Sequence, residues 1–120
     1  MKYNELRLDN WVRWNGPSHV EDARITSMSK EEVCFACGDI ALYSELRPIK
    51  LSKKLLEKIG FVCFGKDWEG VDRYELDNMT IEVRNRNYYE FHSGTYLKSL
   101  HQLQNIYYFL NDKDLKINLK

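Results

Sequence analysis

Three cysteines and three histidines are the residues of this chain whose chemistry would be easiest to recognise. Cys34-Phe35-Ala36-Cys37-Gly38 has the C-x-x-C-G form of a zinc knuckle, Cys63 offers a third thiolate, and His19 or His92 a fourth ligand. Structural zinc usually takes two such pairs, and the second pair is absent. A redox role needs the pair at a helix start, where the first thiol's pKa is lowered. The local pattern is instead a strand, in which Cys34 and Cys37 point to opposite faces. Packing as small hydrophobes is therefore favoured over metal or redox chemistry. The histidines are far apart, no Ser, Cys or Thr sits in a nucleophile motif, and no glycine-rich loop precedes a helix. No catalytic residue, cofactor or metal is implied; a zinc-binding or enzymatic protein using Cys34, Cys37, Cys63 and a histidine stands as the alternative.

Two polar-aromatic groupings suit binding better. Trp11, Arg13 and Trp14 lie near the start of the chain's first strand, and aromatics beside arginine stack on bases or grip peptides. Trp11 and Trp14 face opposite ways in a strand, so at least one belongs to the core. The second grouping is His101, Gln104, Asn105 and Tyr108, whose spacing of i, i+3, i+4 and i+7 makes one stripe of a helix. Such a stripe hydrogen-bonds a ligand or partner, lies solvated, or ties the helix to a neighbouring loop.

The composition sets bounds on these readings. A chain of 120 residues with 43% hydrophobic content is one globular domain with a single core. Eighteen basic and eighteen acidic residues cancel, and both halves are balanced. Phosphate backbones are bound chiefly through a positive field, so nucleic acid is disfavoured as a partner, leaving room only for a local basic patch. No apolar run approaches the ~18 residues of a membrane span, and Met1-Lys2-Tyr3-Asn4-Glu5 lacks a hydrophobic signal core. An odd number of cysteines suits a reducing compartment. The expectation is a cytoplasmic protein with no membrane attachment and a protein or small-molecule partner.

The expected fold is α+β. Strands are predicted from about Trp11, over Val20 to Met28, over Glu32 to Cys37 with Val33, Phe35 and Cys37 on one face, and over Ile40 to Tyr43, with one more near Ile49 and Leu51. Short strands so closely spaced suggest a small SH3-like β-barrel or meander over residues 1–51. Residues 52–120 then supply a short helix, a β-meander and a closing helix within the same domain. Ser52 caps Lys53 to Ile59, Leu51 and Leu56 form a staple, and Gly60 with Phe61 ends the helix. A strand from Phe61 to Phe64 and a polar loop from Lys66 to Gly70 follow.

Asp77-Asn78 is predicted as a two-residue hairpin turn pairing Leu76 with Met79. Asn85-Arg86-Asn87 is predicted as a three-residue turn that sets Val83 opposite Tyr89 and Ile81 opposite Phe91. Together these place Tyr74, Leu76, Met79, Ile81, Val83, Tyr89 and Phe91 on one face. Ser99 and Gln102 form a capping box for a helix whose Leu100, Leu103, Tyr107 and Leu110 make an apolar stripe. That stripe is expected to cover the meander, with Leu103 and Tyr107 against Ile81, Val83 or Phe91. Leu115 to Leu119 adds a short edge strand.

Asn4-Glu5-Leu6-Arg7 with Asn10-Trp11-Val12, Pro48-Ile49-Lys50-Leu51-Ser52, Leu56 to Phe61, and Leu100-His101-Gln102-Leu103-Gln104-Asn105-Ile106-Tyr107 occur in that order. The pattern resembles small uncharacterised proteins of Bacteroidetes genomes and their phages and prophages, which open with an N-E-L-R-x-G-N-W-V segment and close with L-H-Q-L-Q-N-L-Y-F-A-L-T-G. This chain departs at Asp9, where the pattern has Gly, and at Phe109, Asn111 and Asp112, where it has Ala, Thr and Gly. The resemblance implies a bacterial or phage cytoplasmic setting and carries over no site residue. The function favoured on all these grounds is a non-enzymatic binding or accessory protein, phage- or prophage-related.

Overall fold

Alternation in the first fifty residues becomes five antiparallel strands, β1 (Trp11–Asn15), β2 (Val20–Met28), β3 (Glu32–Phe35), β4 (Ile40–Leu42) and β5 (Leu46–Arg47). The computed structural model describes residues 1–17, 19–66 and 69–119. It divides into two compact units, the first comprising Met1–Ile49 with Ser99–Asn105 and the second Lys50–Lys98 with the chain from Ile106 onward. The fold is α+β, with two antiparallel sheets of five strands and a C-terminal helix.

In the first unit the sheet runs in the order β4-β3-β2-β1-β5. Val12, Ile25, Val33, Phe35 and Leu46 form its core, joined by Trp14. Trp11, three residues from Trp14 and so on the opposite face, is equally buried. The sheet is open. Its edge strands β4 and β5 have only three and two residues; of the SH3-like barrel or meander expected from the sequence, a closed barrel does not form and β1 to β4 run as a meander. The final strand is Leu46–Arg47, not the segment around Ile49 and Leu51. Strand β3 ends at Phe35, which leaves Cys37 exposed in the turn before Gly38, not on the face of Val33 and Phe35. Asp9 takes φ 71°, the region glycine favours. The tight turn before Trp11 thus forms without glycine, with the Asp9 carboxylate accepting from Arg24 at 2.7 Å.

The second unit opens with α1 (Lys53–Lys58), whose cap is Ser52, its Oγ accepting from the Leu55 N–H at 3.1 Å. Gly60, at φ 110°, ends it, and the Phe61 N–H returns to the Leu56 carbonyl. The sheet then runs β10-β9-β8-β7-β6, made of β6 (Val62–Lys66), β7 (Asp72–Leu76), β8 (Met79–Arg84), β9 (Asn87–Glu90) and β10 (Tyr96–Leu97). Of the predicted polar loop from Lys66 to Gly70, Asp67 and Trp68 lie outside the described residues. The first hairpin has the predicted register, Leu76 opposite Met79 and Tyr74 opposite Ile81, with Asp77 carrying the positive φ.

The second hairpin differs from the prediction by one residue. Asn85 and Arg86 both adopt positive φ, 50° and 67°, which closes a two-residue turn. Val83 therefore faces Tyr88 and Ile81 faces Glu90. Phe91 moves off the apolar face and is 46% exposed, while Glu90 is 1% exposed. The misplaced carboxylate is satisfied locally, its two oxygens accepting from the N–H groups of His92 at 2.6 Å and Ser93 at 2.9 Å. Glu82, on the face opposite Ile81 and Val83, is buried too, with Arg84 3.2 Å and Arg73 3.7 Å from its carboxylate.

The closing helix α2 (Leu100–Asn111) begins at Ser99, whose Oγ accepts from the Gln102 N–H at 3.4 Å. Leu100, Leu103 and Tyr107 are buried. In the second unit its last turns meet the first hairpin. The Tyr107 hydroxyl donates to Asp77, and Asn111 Oδ1 accepts from the Asn78 N–H at 3.0 Å. Beyond the helix Leu115 is buried, but no strand forms over the described residues 115–119.

Candidate functional site

Strand β5 pairs only with Arg13 and Trp14 of β1, so the Trp11 amide has no strand opposite it on that side. Gln104 fills the gap. Its Oε1 accepts from the Trp11 N–H at 2.8 Å and its Nε2 donates to the Asp9 carbonyl at 2.9 Å. One primary amide thereby reproduces the pattern that a residue of a parallel strand would present to the backbone on either side of Asn10. Next to it, Asn105 Oδ1 accepts from Asn10 Nδ2 at 2.9 Å and from Arg7 at 3.3 Å, while its own Nδ2 donates to the Glu5 carbonyl.

Of the seven residues in the two groupings, Gln104 and Asn105 are thus committed to the fold, and Trp11 and Trp14 are buried. His101 is buried as well, its Nδ1 without a partner among the described residues, and burial lowers its pKa against the opposing pull of Glu5. Arg13 is exposed and pairs with Asp22 at 3.0 Å, and Tyr108 is exposed in the second unit. The stripe His101, Gln104, Asn105, Tyr108 is therefore not a solvated face.

The cysteines are free. Among the described residues the one group of three potential metal ligands is Glu21, Cys37 and Asp39, with Cys37 Sγ 3.5 Å from Asp39 Oδ2. It takes in a single cysteine and no histidine. Cys63 lies exposed on β6, opposite Tyr74, whose hydroxyl is raised in pKa by burial and by the neighbouring thiol.

The site with the most definite chemistry lies at one end of the second sheet. Lys66 of β6 stands opposite Asp72 of β7, Asp72 opposite Val83 of β8, and Val83 opposite Tyr88 of β9. Residues directly opposite one another in antiparallel strands project from the same face, so these four form a row across the sheet. The row borders a cavity of about 470 Å³ completed by Lys53, Gly70, Asn85 and Arg86. Lys53 follows the Ser52 cap of α1, and Arg86 is set by the two-residue turn of the second hairpin.

Three cations and one carboxylate surround this space. Lys53 Nζ donates to Asp72 Oδ2 at 2.5 Å. That hydrogen bond raises the lysine's pKa, outweighing the effect of desolvation, so the group is an ammonium at neutral pH. Burial raises the Tyr88 pKa, with the Lys53 charge and its backbone N–H pulling the other way. No described residue engages the side chain of Lys66 or Arg86 in a hydrogen bond or ion pair. A larger hollow of about 570 Å³ is lined by Arg73, Glu75, Asp77 and Phe91 among others. Its lining sets Arg73 against the two carboxylates of Glu75 and Asp77, and the Arg73 guanidinium already sits 5.1 Å from the Phe91 ring centre. Charge sets the smaller cavity apart.

None of Lys53, Lys66, Asp72, Arg86 and Tyr88 was singled out from the sequence. They are spread over 36 positions and match no spacing rule. The three-residue turn predicted for 85–87 would also have put Tyr89, not Tyr88, beside Val83. A correct register for that hairpin is the signal that brings the row together. No family profile, curated protein or solved structure matches this chain.

Proposed function

We propose that this protein is a non-enzymatic binding module whose second unit takes a small anionic ligand in the Lys53–Lys66–Arg86 cavity. The observation that carries the reading is a pair of cations, Lys66 and Arg86, whose side chains no described residue engages, beside a cavity of about 470 Å³, a size that suits a small molecule. Binding is favoured over catalysis because the two titratable donors there are shifted away from reactivity. Lys53 is held as an ammonium and Tyr88 as a neutral phenol at pH 7, whereas a general base needs its pKa near the working pH.

An SH3-like first unit is part of the same proposal. It is supported by the order β4-β3-β2-β1-β5 and the 3-10 turn, Tyr43–Glu45, that precedes β5. The phage or prophage setting is proposed from the motif resemblance at both ends of the chain, and a reducing, cytoplasmic compartment from three free thiols. No helix of the described residues is long and apolar enough to cross a membrane.

Titration calorimetry with inorganic phosphate tests the site. Saturable binding is expected, weakening as salt is added. Arg86→Ala and Lys66→Ala should each cost about tenfold in Kd, as for a lost charge-assisted hydrogen bond, and Arg13→Ala in the first unit should cost nothing. Binding that is absent, or indifferent to both cavity variants, refutes the proposal.

A further inference from the structure

We propose that the first unit carries a zinc site formed by His19, Glu21, Cys37 and Asp39, separate from the anion cavity of the second unit. His19 and Glu21 stand at the start of β2, and Cys37 and Asp39 in the turn that follows β3. The two strands pair antiparallel, which brings the start of one beside the end of the other. Gly38, at φ 96°, closes the turn, its N–H donating to the Phe35 carbonyl while the Phe35 N–H donates to the carbonyl of Asp39. Cys37 and Asp39 flank that glycine, with Sγ and Oδ2 3.5 Å apart. On the facing strand His19 Nε2 is 3.5 Å from Glu21 Oε2. The imidazole is placed by an edge contact with the buried Trp14 ring, 6.3 Å between centres, and by the Gly16 N–H on its carbonyl.

The spacing is that of a tetrahedral metal. Zinc bonds of about 2.0–2.3 Å at the tetrahedral angle hold ligand atoms about 3.3–3.8 Å apart, and both measured pairs fall in that range. One ligand atom from each of Glu21, Cys37 and Asp39 lies within 4.8 Å of the other two, so Glu21 joins the two pairs. Cys37 and Asp39 are exposed at a turn and have room to close the remaining distance. The donor types select the ion. A thiolate and an imidazole suit zinc and are poor ligands for magnesium or calcium, which take oxygen. Four protein ligands leave no position for substrate, so the site is structural: it clamps the start of β2 to the β3–β4 turn. On binding, the Cys37 thiol loses its proton to solvent, and its hydrogen bond to Asp39 is exchanged for two bonds to the metal.

The experiment titrates zinc chloride into the full chain, reduced, untagged and stripped with chelator, in a buffer free of phosphate. One zinc per chain is expected by calorimetry, with Kd micromolar or tighter, a rise in Tm and a change in Trp14 fluorescence. Cobalt should give the sulfur-to-metal absorption of a bound thiolate. Loss of an outer partner alone weakens metal sites about 10–100-fold, so Cys37→Ala and His19→Ala should each weaken zinc about a hundredfold or more. Cys63→Ser, in the other unit, should change nothing. Excess magnesium should not displace the zinc; if it does, the carboxylates bind alone and the four-residue assignment falls. Absence of binding, or affinity unchanged in both Cys37→Ala and His19→Ala, overturns the proposal. If Cys37→Ala does not fold, cobalt bound to the parent without the sulfur absorption overturns it as well.

Discussion

Replacing Gln104 by leucine separates the two accounts of the α2 polar stripe. Leucine keeps most of the side-chain volume, so the change isolates the hydrogen bonds from the packing. Two bonds are lost, from the Trp11 N–H at 2.8 Å and to the Asp9 carbonyl at 2.9 Å. The Trp11 amide sits on a buried residue, and β5 ends too soon to supply another acceptor. Each backbone group left unsatisfied costs about 1–3 kcal/mol, so the variant should lose about 2–6 kcal/mol. Urea denaturation at an unchanged m-value measures the loss, and amide exchange should show Trp11 N–H losing protection. A cost below about 0.5 kcal/mol, with the Trp11 amide still protected, would refute the idea that one side-chain amide stands in for a strand.

Three further outcomes are expected. Leu103, fully buried, should cost about 2–5 kcal/mol on replacement by alanine, read from the same denaturation curves. Glu90→Gln should cost about 1–3 kcal/mol, because one of its two acceptor oxygens becomes an NH₂ facing a backbone N–H of His92 or Ser93. His101 makes stability fall in mild acid. Burial lowers its folded pKa below the ordinary 6.5, so below that pH the unfolded chain binds the proton and the folded chain does not. The contribution is fully present above pH 6.5, declines by up to about 1.4 kcal/mol per unit as pH falls, and stops declining below the folded pKa. Melting curves from pH 7.5 to 4.5 should show this slope in the parent and lose it in His101→Leu.

The elements legible in the sequence are those whose determinants lie within a few residues of one another. Ser52, Leu56, Gly60 and Phe61 define α1 and its ending, Val20 to Met28 reads as the strand it is, and Asp77-Asn78 sets the first hairpin. Such features follow from backbone sterics and side-chain period, which a short stretch of chain states in full. The second hairpin shows where that stops. Asn85-Arg86-Asn87 is compatible with a turn of two residues or of three, and arginine at positive φ is not what intrinsic preference favours. Its register is decided over the whole sheet, with Glu90 brought inside and satisfied by the backbone of His92 and Ser93.

The polar stripe of α2 was visible as a spacing, but not its task. Nothing near residue 104 in the chain records that β5 stops after two residues, which is why the Trp11 amide needs a partner from a helix. The cavity is the extreme case. Lys53, Lys66, Asp72 and Arg86 read separately as four ordinary surface charges in a chain of zero net charge. Only the pairing of four strands puts Lys66, Asp72, Val83 and Tyr88 in one row, because charge density at a site depends on distance in space, for which these sequence separations are no guide.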